Sequence, residues 1–338
     1  MTDTAIQEFP LVQFRPRRVG HVNMTVSDLE TSHRFYHDVI GLEFVFDEPG
    51  VESRFYSNGN SHHDIAIGQA SDKTLLGRGG HVQKPASVMT SAGLNHFAWE
   101  MRTESELVAA IKRGAELGLE KRAYYNHQIS HSIYLPEPNG MEIEIYADTH
   151  PDFRAIYAEF HDELITEVWD PMSIEGDDGE RFPKDFELRP AEGALARPLR
   201  TAQVAIVIAD LDESIGFYER VVGLTVVAAD KVTGRWAIMA GTLGRPDLLL
   251  LEKVGHQGLG FHHFTLELES EAELDATIDR LKAAGIDIFR VADHALKRGV
   301  VVLDPDGVPV ELFAALPVGP DGPTYEQVAT PENREFLL

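Results

Sequence analysis

Hydrophobic and polar positions along the chain fall into short runs with two distinct periods. From Val19 the text GHVNMTVSDLETSHRFYHDVIGLEFV opens with a β-branched run over His21–Val26, which predicts a strand. Ser27-Asp28 follows as a helix cap, and a helical stretch through Phe35-Tyr36 stops at Gly41. Strand-like runs continue at Glu43–Phe46, Ser53–Tyr56 and Asp64–Gly68, so the first unit reads β-α-β-β-β. A second unit opens at Gly93 with GLNHFAWEM, carries a helix over about Glu104–Leu117 and stops it at Gly118. It closes with a hairpin in which Ile129–Leu135 and Met141–Tyr146 are strands and Pro136-Glu137-Pro138-Asn139-Gly140 is the turn.

After Asp148 a connector runs to about Arg197, with helical character over Phe153–Trp169 and an acidic loop, EGDDGERFPKDFE. Then the first pattern returns. QVAIVIADLDESIGFYERVVGLTVV, from Gln203, lies without a gap on His21–Val45. GFHHFTLEL, from Gly260, matches Gly93–Met101, and PDGVPVELF (Pro305–Phe313) matches PNGMEIEIY (Pro138–Tyr146). A period of this length exceeds that of solenoids and indicates a duplicated domain. The expected fold is α+β: four βαβββ modules forming two tandem domains, each sheet curled around a cavity. The boundaries are an arm over 1–17, a first domain over 18–148, a connector over 149–198, a second domain over 199–316 and a tail over 317–338.

Composition narrows the chemistry. The 338 residues include no cysteine, which excludes disulfides, thiolate metal sites and a cysteine nucleophile. A metal would have to be held by imidazole and carboxylate. Of 15 histidines, 11 lie at or before His161, a skew that points to local chemistry. The net charge of −25 argues against nucleic-acid or anionic-membrane partners, which need a basic surface. No apolar run approaches the roughly 20 residues that span a bilayer, and MTDTAIQEFPLVQFRPRR has no secretory pattern, so a cytoplasmic location is expected.

The two copies interrogate each other. In the first, His21, His96 and Glu144 or Glu142 stand at strand positions of different modules. Two imidazoles and one carboxylate leave coordination positions open, as non-heme Fe(II) or Mn(II) sites require. In the second copy Gln203 answers His21, His263 answers His96, Glu311 answers Glu144 and Pro309 answers Glu142. The glutamate retained in both copies is therefore Glu144, and Gln203 makes the second copy a poor metal site. Leu249–Leu251 is expected where the first copy has His62-His63-Asp64, and VADHALKRGVVVLD offers no counterpart of Tyr134 or His127 beyond His294.

These residues resemble the vicinal oxygen chelate superfamily and, within it, the type I extradiol (catechol-cleaving) ring dioxygenases, over Arg18–Ala147 and Arg200–Ala315. The resemblance implies iron ligands at His21, His96 and Glu144. It places the family's acid–base histidine at His63 of SHHDIAIG. A further histidine of the site falls at His127 of NHQIS, with His131 as its rival, and the family's tyrosine falls at Tyr134, ten residues before the glutamate. The expected cofactor is Fe(II), with Mn(II) as the second choice, and the expected partners are a small aromatic diol and O2, in a homo-oligomer. Familiar two-domain members carry the metal in the C-terminal domain; here it would lie in the N-terminal one. Two other readings share the fold: a metal-dependent glyoxalase-like isomerase or lyase, and a non-catalytic small-molecule binding protein.

Overall fold

The computed structural model describes residues 8–253, 258–319 and 321–338. The first module contains β1 (Arg18–Val26), α1 (Leu29–Arg34), β2 (Glu43–Glu48), β3 (Ser53–Ser57) and β4 (Ile65–Gln69). A small hairpin, β5 (Leu75–Leu76) and β6 (Val82–Lys84), leads into the second module. That module contains β7 (Gly93–Glu100), α2 (Glu104–Glu116), β8 (Ala123–Asn126), β9 (Ser130–Pro136) and β10 (Glu142–Asp148). The connector contributes α3 (Phe153–Glu159) and β11 (Glu167–Val168). The second copy repeats the plan with β12 (Arg200–Ile208), α4 (Leu211–Phe217), β13 (Thr225–Asp230), β14 (Trp236–Ala240) and β15 (Pro246–Glu252). It ends with β16 (Gly260–Glu267), α5 (Glu271–Ala283), β17 (Arg290–Val291), β18 (Lys297–Leu303), β19 (Pro309–Ala315) and the short tail helix α6 (Tyr325–Val328).

The caps read from the sequence do their local work. Asp28 and Asp210 each accept a backbone N–H of the first turn of their helix, and Thr103 and Ser270 do the same for α2 and α5. Gly41 (φ +88°) and Gly223 (φ +86°) then turn the chain left-handed at equivalent helix ends, where a side chain would be strained.

Each copy makes one mixed sheet. The first runs β11-β8-β9-β10-β7-β1-β4-β3-β2, and the second β13-β14-β15-β12-β16-β19-β18-β17. At the centre of each, the first strands of the two modules pair antiparallel (β1 with β7, β12 with β16), and each takes a parallel neighbour outside. Alternate side chains go to a large apolar core under the helices, which includes Val22, Met24, Phe97, Trp99, Ile143 and Ile145. The intervening ones face the concave side.

The copies clamp each other through equivalent aspartates. Asp64 accepts from the backbone N–H of Thr201 (3.0 Å) and Asp247 from that of Val19 (3.1 Å), so each reaches the first strand of the other copy. Their second oxygens cap Asn58 (2.7 Å) and Gly241 (2.8 Å). This register corrects one expectation. Ile65 pairs with Val22 as Leu248 pairs with Val204, so His62-His63-Asp64 is answered by Arg245-Pro246-Asp247, not by Leu249–Leu251. The second copy carries one more residue between β13 and β14, which shifts the frame by one, and the leucine run lies further along β15, where it answers the strand after the histidines. The connector also departs from the expected helix: only Phe153–Glu159 is α-helical, because Glu167–Val168 pairs with Tyr125–Asn126 at the sheet edge.

Candidate metal centre and its cavity

Three neighbouring strands bring the centre together. His21 on β1 lies opposite Ala98 on β7, and Ala98 lies opposite Glu144 on β10. His96 is two residues before Ala98 and shares its face. The alanine methyl in the middle of this row leaves room above it. There His21 Nε2 and His96 Nε2 stand 2.9 and 3.1 Å from Glu144 Oε2, and one donor atom from each of the three lies within 4.8 Å of the others. All three residues are buried.

Protonation suits a cation. Burial outweighs the pull of Glu144 and lowers His21 to about 4, so its imidazole is neutral. Burial alone would raise Glu144, but the adjacent imidazoles of His21 and His96 hold it well below the usual carboxylate range. Ser132 donates to its other oxygen (2.5 Å). Asn95 Oδ1 accepts from His96 Nδ1 (2.8 Å), so Nε2 is the ring nitrogen turned to Glu144. Neutral imidazoles and an ionised carboxylate are the states that ligate a divalent ion. An inward carboxylate needs a positive partner, and a bound metal fits this donor set.

His63, His127 and Tyr134 line the same cavity, of about 940 Å³. His63 packs on His21, ring centroids 4.0 Å apart, and neither of its buried ring nitrogens has a hydrogen-bond partner. Burial, then the neighbouring His21 and His62, lowers its pKa well below the ordinary histidine value. Tyr134 lies opposite Glu144 on β9 and edge-on to His96. His127 Nε2 is 3.0 Å from the Tyr134 hydroxyl, and its Nδ1 is 2.9 Å from Thr166 Oγ1. Burial lowers His127 to about 4 and raises Tyr134 well above its ordinary value. His131 points to the opposite face of the sheet, held by Glu104 (2.5 Å) and stacked on Trp169. Glu142 lines the cavity two residues from Glu144 and bears none of these contacts.

Sequence reasoning missed several participants. His62 Nδ1 bonds Asp148 Oδ1 (2.7 Å) and packs edge-on against Tyr146 and His63; Asp148 raises its pKa against the effect of burial. The adjacent pair His62-His63 was visible, but their division between a carboxylate and the open cavity was not. Ser132 could have been found as a polar residue on the strand facing Glu144. Tyr157 and Thr166 come from the connector, where the repeat visible in the sequence does not extend.

No helix among the described residues is long and apolar enough to cross a membrane. Comparisons with known proteins agree with the architecture. The chain is 24% identical over 289 residues to catechol-2,3-dioxygenase of Bacillus subtilis (strain 168), covering 81% of this chain and 93% of that protein. It is 26% identical over 131 residues to biphenyl-2,3-diol 1,2-dioxygenase 3 of Rhodococcus globerulus, covering 39% and 63%. Among solved structures, a variant of homoprotocatechuate 2,3-dioxygenase from B. fuscum superposes with a TM-score of 0.63 at 18% identity, covering 94% of this chain and 77% of that one. The Mn(II)-bound glyoxalase from Novosphingobium aromaticivorans gives 0.61 at 14%, covering 89% and 82%. Residues 18–145 and 200–312 match the family model described as Glyoxalase/Bleomycin resistance protein/Dioxygenase superfamily, and to that superfamily this chain belongs.

Proposed function

We propose that this protein is a metal-dependent extradiol dioxygenase that opens the ring of a catechol-type substrate with O2, using a centre in its N-terminal domain. The convergence of His21, His96 and Glu144 over Ala98, beside an unpartnered His63, carries this reading. Two relatives named as catechol- and biphenyldiol-cleaving dioxygenases support it. His21, His96 and Glu144 hold the metal, Fe(II) first and Mn(II) second. Such an ion supplies Lewis acidity and an electron path between an aromatic diol and O2.

The chain's own groups do the rest. His63 rests neutral on the cavity wall with both ring nitrogens unpartnered, so it takes the proton released by a substrate hydroxyl and returns it when the ring opens. The line of Thr166, His127 and Tyr134 has one polarity that serves a substrate oxygen. Thr166 donates to His127 Nδ1, His127 Nε2 donates to the Tyr134 oxygen, and the Tyr134 hydroxyl proton is then directed towards Glu144 and the site beside it. His62 is held by Asp148 and fixes the strand end from which His63 projects.

The test is anaerobic loading with Fe(II) or Mn(II), then O2 uptake with a catechol panel. One O2 consumed per catechol, with a yellow ring-opened product, is the expected result. Turnover of a glyoxalase-type substrate without O2 uptake, and none of any catechol, would overturn the proposal.

A further inference from the structure

In the second copy the tail fills the concave face, with Tyr325 of α6 and with Leu337 and Leu338, whereas in the first the cavity extends well past the metal centre to a far wall. The connector builds that wall. α3 lays Tyr157 flat on Phe46 (ring centroids 4.8 Å, planes 11° apart) and beside Phe55, in an apolar patch completed by Ile129 and Ile165. A series of ring contacts leads there from the centre. His21 to His63 is 4.0 Å, His63 to Phe55 is 5.0 Å and Phe55 to Tyr157 is 6.2 Å, centroid to centroid.

At the end of this series a polar atom waits. Tyr157 is 3% exposed and lines the cavity, and its hydroxyl has no hydrogen-bond partner in the protein. Buried hydroxyls nearly always have one, because a bare one loses its hydration without return. The charged groups that act on this hydroxyl are Asp148, Glu48 and Glu144, all acidic. The volume of about 940 Å³ lies near the top of the roughly 300–1,000 Å³ typical of pockets for drug-sized ligands. One diol ring leaves much of that space empty.

Building on the extradiol reading, we infer that the substrate is a catechol with a bulky, uncharged aromatic substituent bearing one neutral oxygen function. The substituent lies against Phe55 and Ile165, and its oxygen hydrogen-bonds the Tyr157 hydroxyl. The apolar walls select the ring, and a carboxylate at that end would lose its hydration with no basic side chain of the patch to pair with it. Tyr157 thus sets specificity and takes no part in proton handling.

Binding and turnover are read separately to test this. Wild type and Tyr157→Phe, loaded with Fe(II) under argon, are titrated by calorimetry with 3-phenylcatechol and with its analogues hydroxylated at each position of the second ring. O2 uptake is then measured on the same samples. Wild type is expected to bind one hydroxylated analogue about tenfold more tightly than 3-phenylcatechol, the worth of one buried hydrogen bond. Tyr157→Phe is expected to lose that preference while holding 3-phenylcatechol within about twofold, which also shows that it folds. A wild type that binds none of these compounds, or has no preference among them, overturns the inference, as does a preference that survives in Tyr157→Phe. If the preference depends on Tyr157 but wild type consumes no O2, the recognition stands and the dioxygenase reading falls. If wild type consumes O2 but binds all the compounds equally, the dioxygenase reading stands and the recognition falls.

Discussion

The two copies share one strand frame and resolve the same electrostatic problem in opposite ways. Each places a glutamate on the inner face of a central strand, Glu144 in the first and Glu311 in the second. In the first, the row His21–Ala98–Glu144 leaves a gap over a methyl group, and two imidazoles face the carboxylate. In the second, the row is Gln203–Thr265–Glu311; the threonine fills the gap and bonds Gln203 (2.8 Å). An ammonium takes the role of the cation there. Lys297 Nζ lies 2.5 Å from Glu311 Oε1 and also donates to the backbone oxygen of Leu338. Phe336, Leu337 and Leu338 pack into the concave face, Leu337 and Leu338 against Trp236, Ile238 and Leu249 and Phe336 against His263. The protonation behaviour diverges accordingly: Glu144 is held well below its ordinary range, whereas burial pushes Glu311 up to about 7 despite Lys297. The inward carboxylate belongs to the frame; the groups set against it are what differ between the copies.

Exchanging these features is the way to break the comparison. The largest effect is expected from His21→Gln, which writes Gln203 into the first copy. It should abolish stoichiometric Fe(II) or Mn(II) binding and lower ring-cleavage kcat/KM by about 10³-fold or more. Metal analysis after gel filtration, with O2 uptake, measures both; full metal content would remove His21 from the ligand set. Ser130→Lys is the subtler transplant, because Ser130 faces Asp148 as Lys297 faces Ala315. Its ammonium should pair with Glu144 and weaken metal binding by about 10²-fold or more, with the fold intact by circular dichroism. The reverse exchange starts from damage. Lys297→Ala should cost about 3–5 kcal/mol in urea denaturation, because it leaves Glu311 buried without its cation. Adding Gln203→His and Thr265→Ala should recover part of that loss only when Fe(II) or Mn(II) is supplied. Recovery without metal would show that the frame needs no cation at this position.

Much of this contrast was legible in the sequence, and the limits have physical causes. Strand periodicity and the gapless repeat gave four modules, and with them the strands on which His21, His96 and Glu144 meet. Self-comparison failed between β14 and β15: the leucine run was matched to the histidine pair, whereas the extra residue before β14 shifts the frame by only one and strand pairing sets Pro246 at the place of His63. Lys297 was overlooked because it stands where the first copy has a serine, and a lysine in a strand usually signals solvent. Ala98 and Thr265 are ordinary strand residues, and their importance appears only in the row across the sheet. The connector was opaque for another reason. Its counterpart is the tail, whose α6 packs on β13 as α3 packs on β2, but the two segments share no gapless pattern, so nothing marked Tyr157, Ile165 and Thr166 as lining the cavity.

The connector also underlies the smallest expected difference between the copies, seen at the ends of the equivalent strands β2 and β13. Glu48 is 2% exposed beneath the connector, accepts from the backbone N–H of Ile165 (3.1 Å), and is raised by burial to about 7. Asp230 lies at an open turn, where Thr233 and the backbone of Val232 and Gly234 donate to it and hold it below its ordinary range. The signs are opposite. For Glu48 the folded pKa exceeds the unfolded one, so its full contribution is present below about pH 4.5 and is lost as pH rises to about 7. The loss comes to at most about 3 kcal/mol. Glu48→Gln keeps the acceptor and removes the charge, so its stability relative to wild type should rise by up to about that amount between pH 4.5 and 8. For Asp230 the folded pKa is depressed, so its contribution is present above the unfolded value and fades as pH falls below it. Asp230→Asn should therefore lose stability relative to wild type at pH 7 and approach it in acid, by a smaller margin because solvent screens the site. Urea denaturation of both variants across this range separates the two slopes; parallel slopes would mean that the connector does not bury Glu48 in solution.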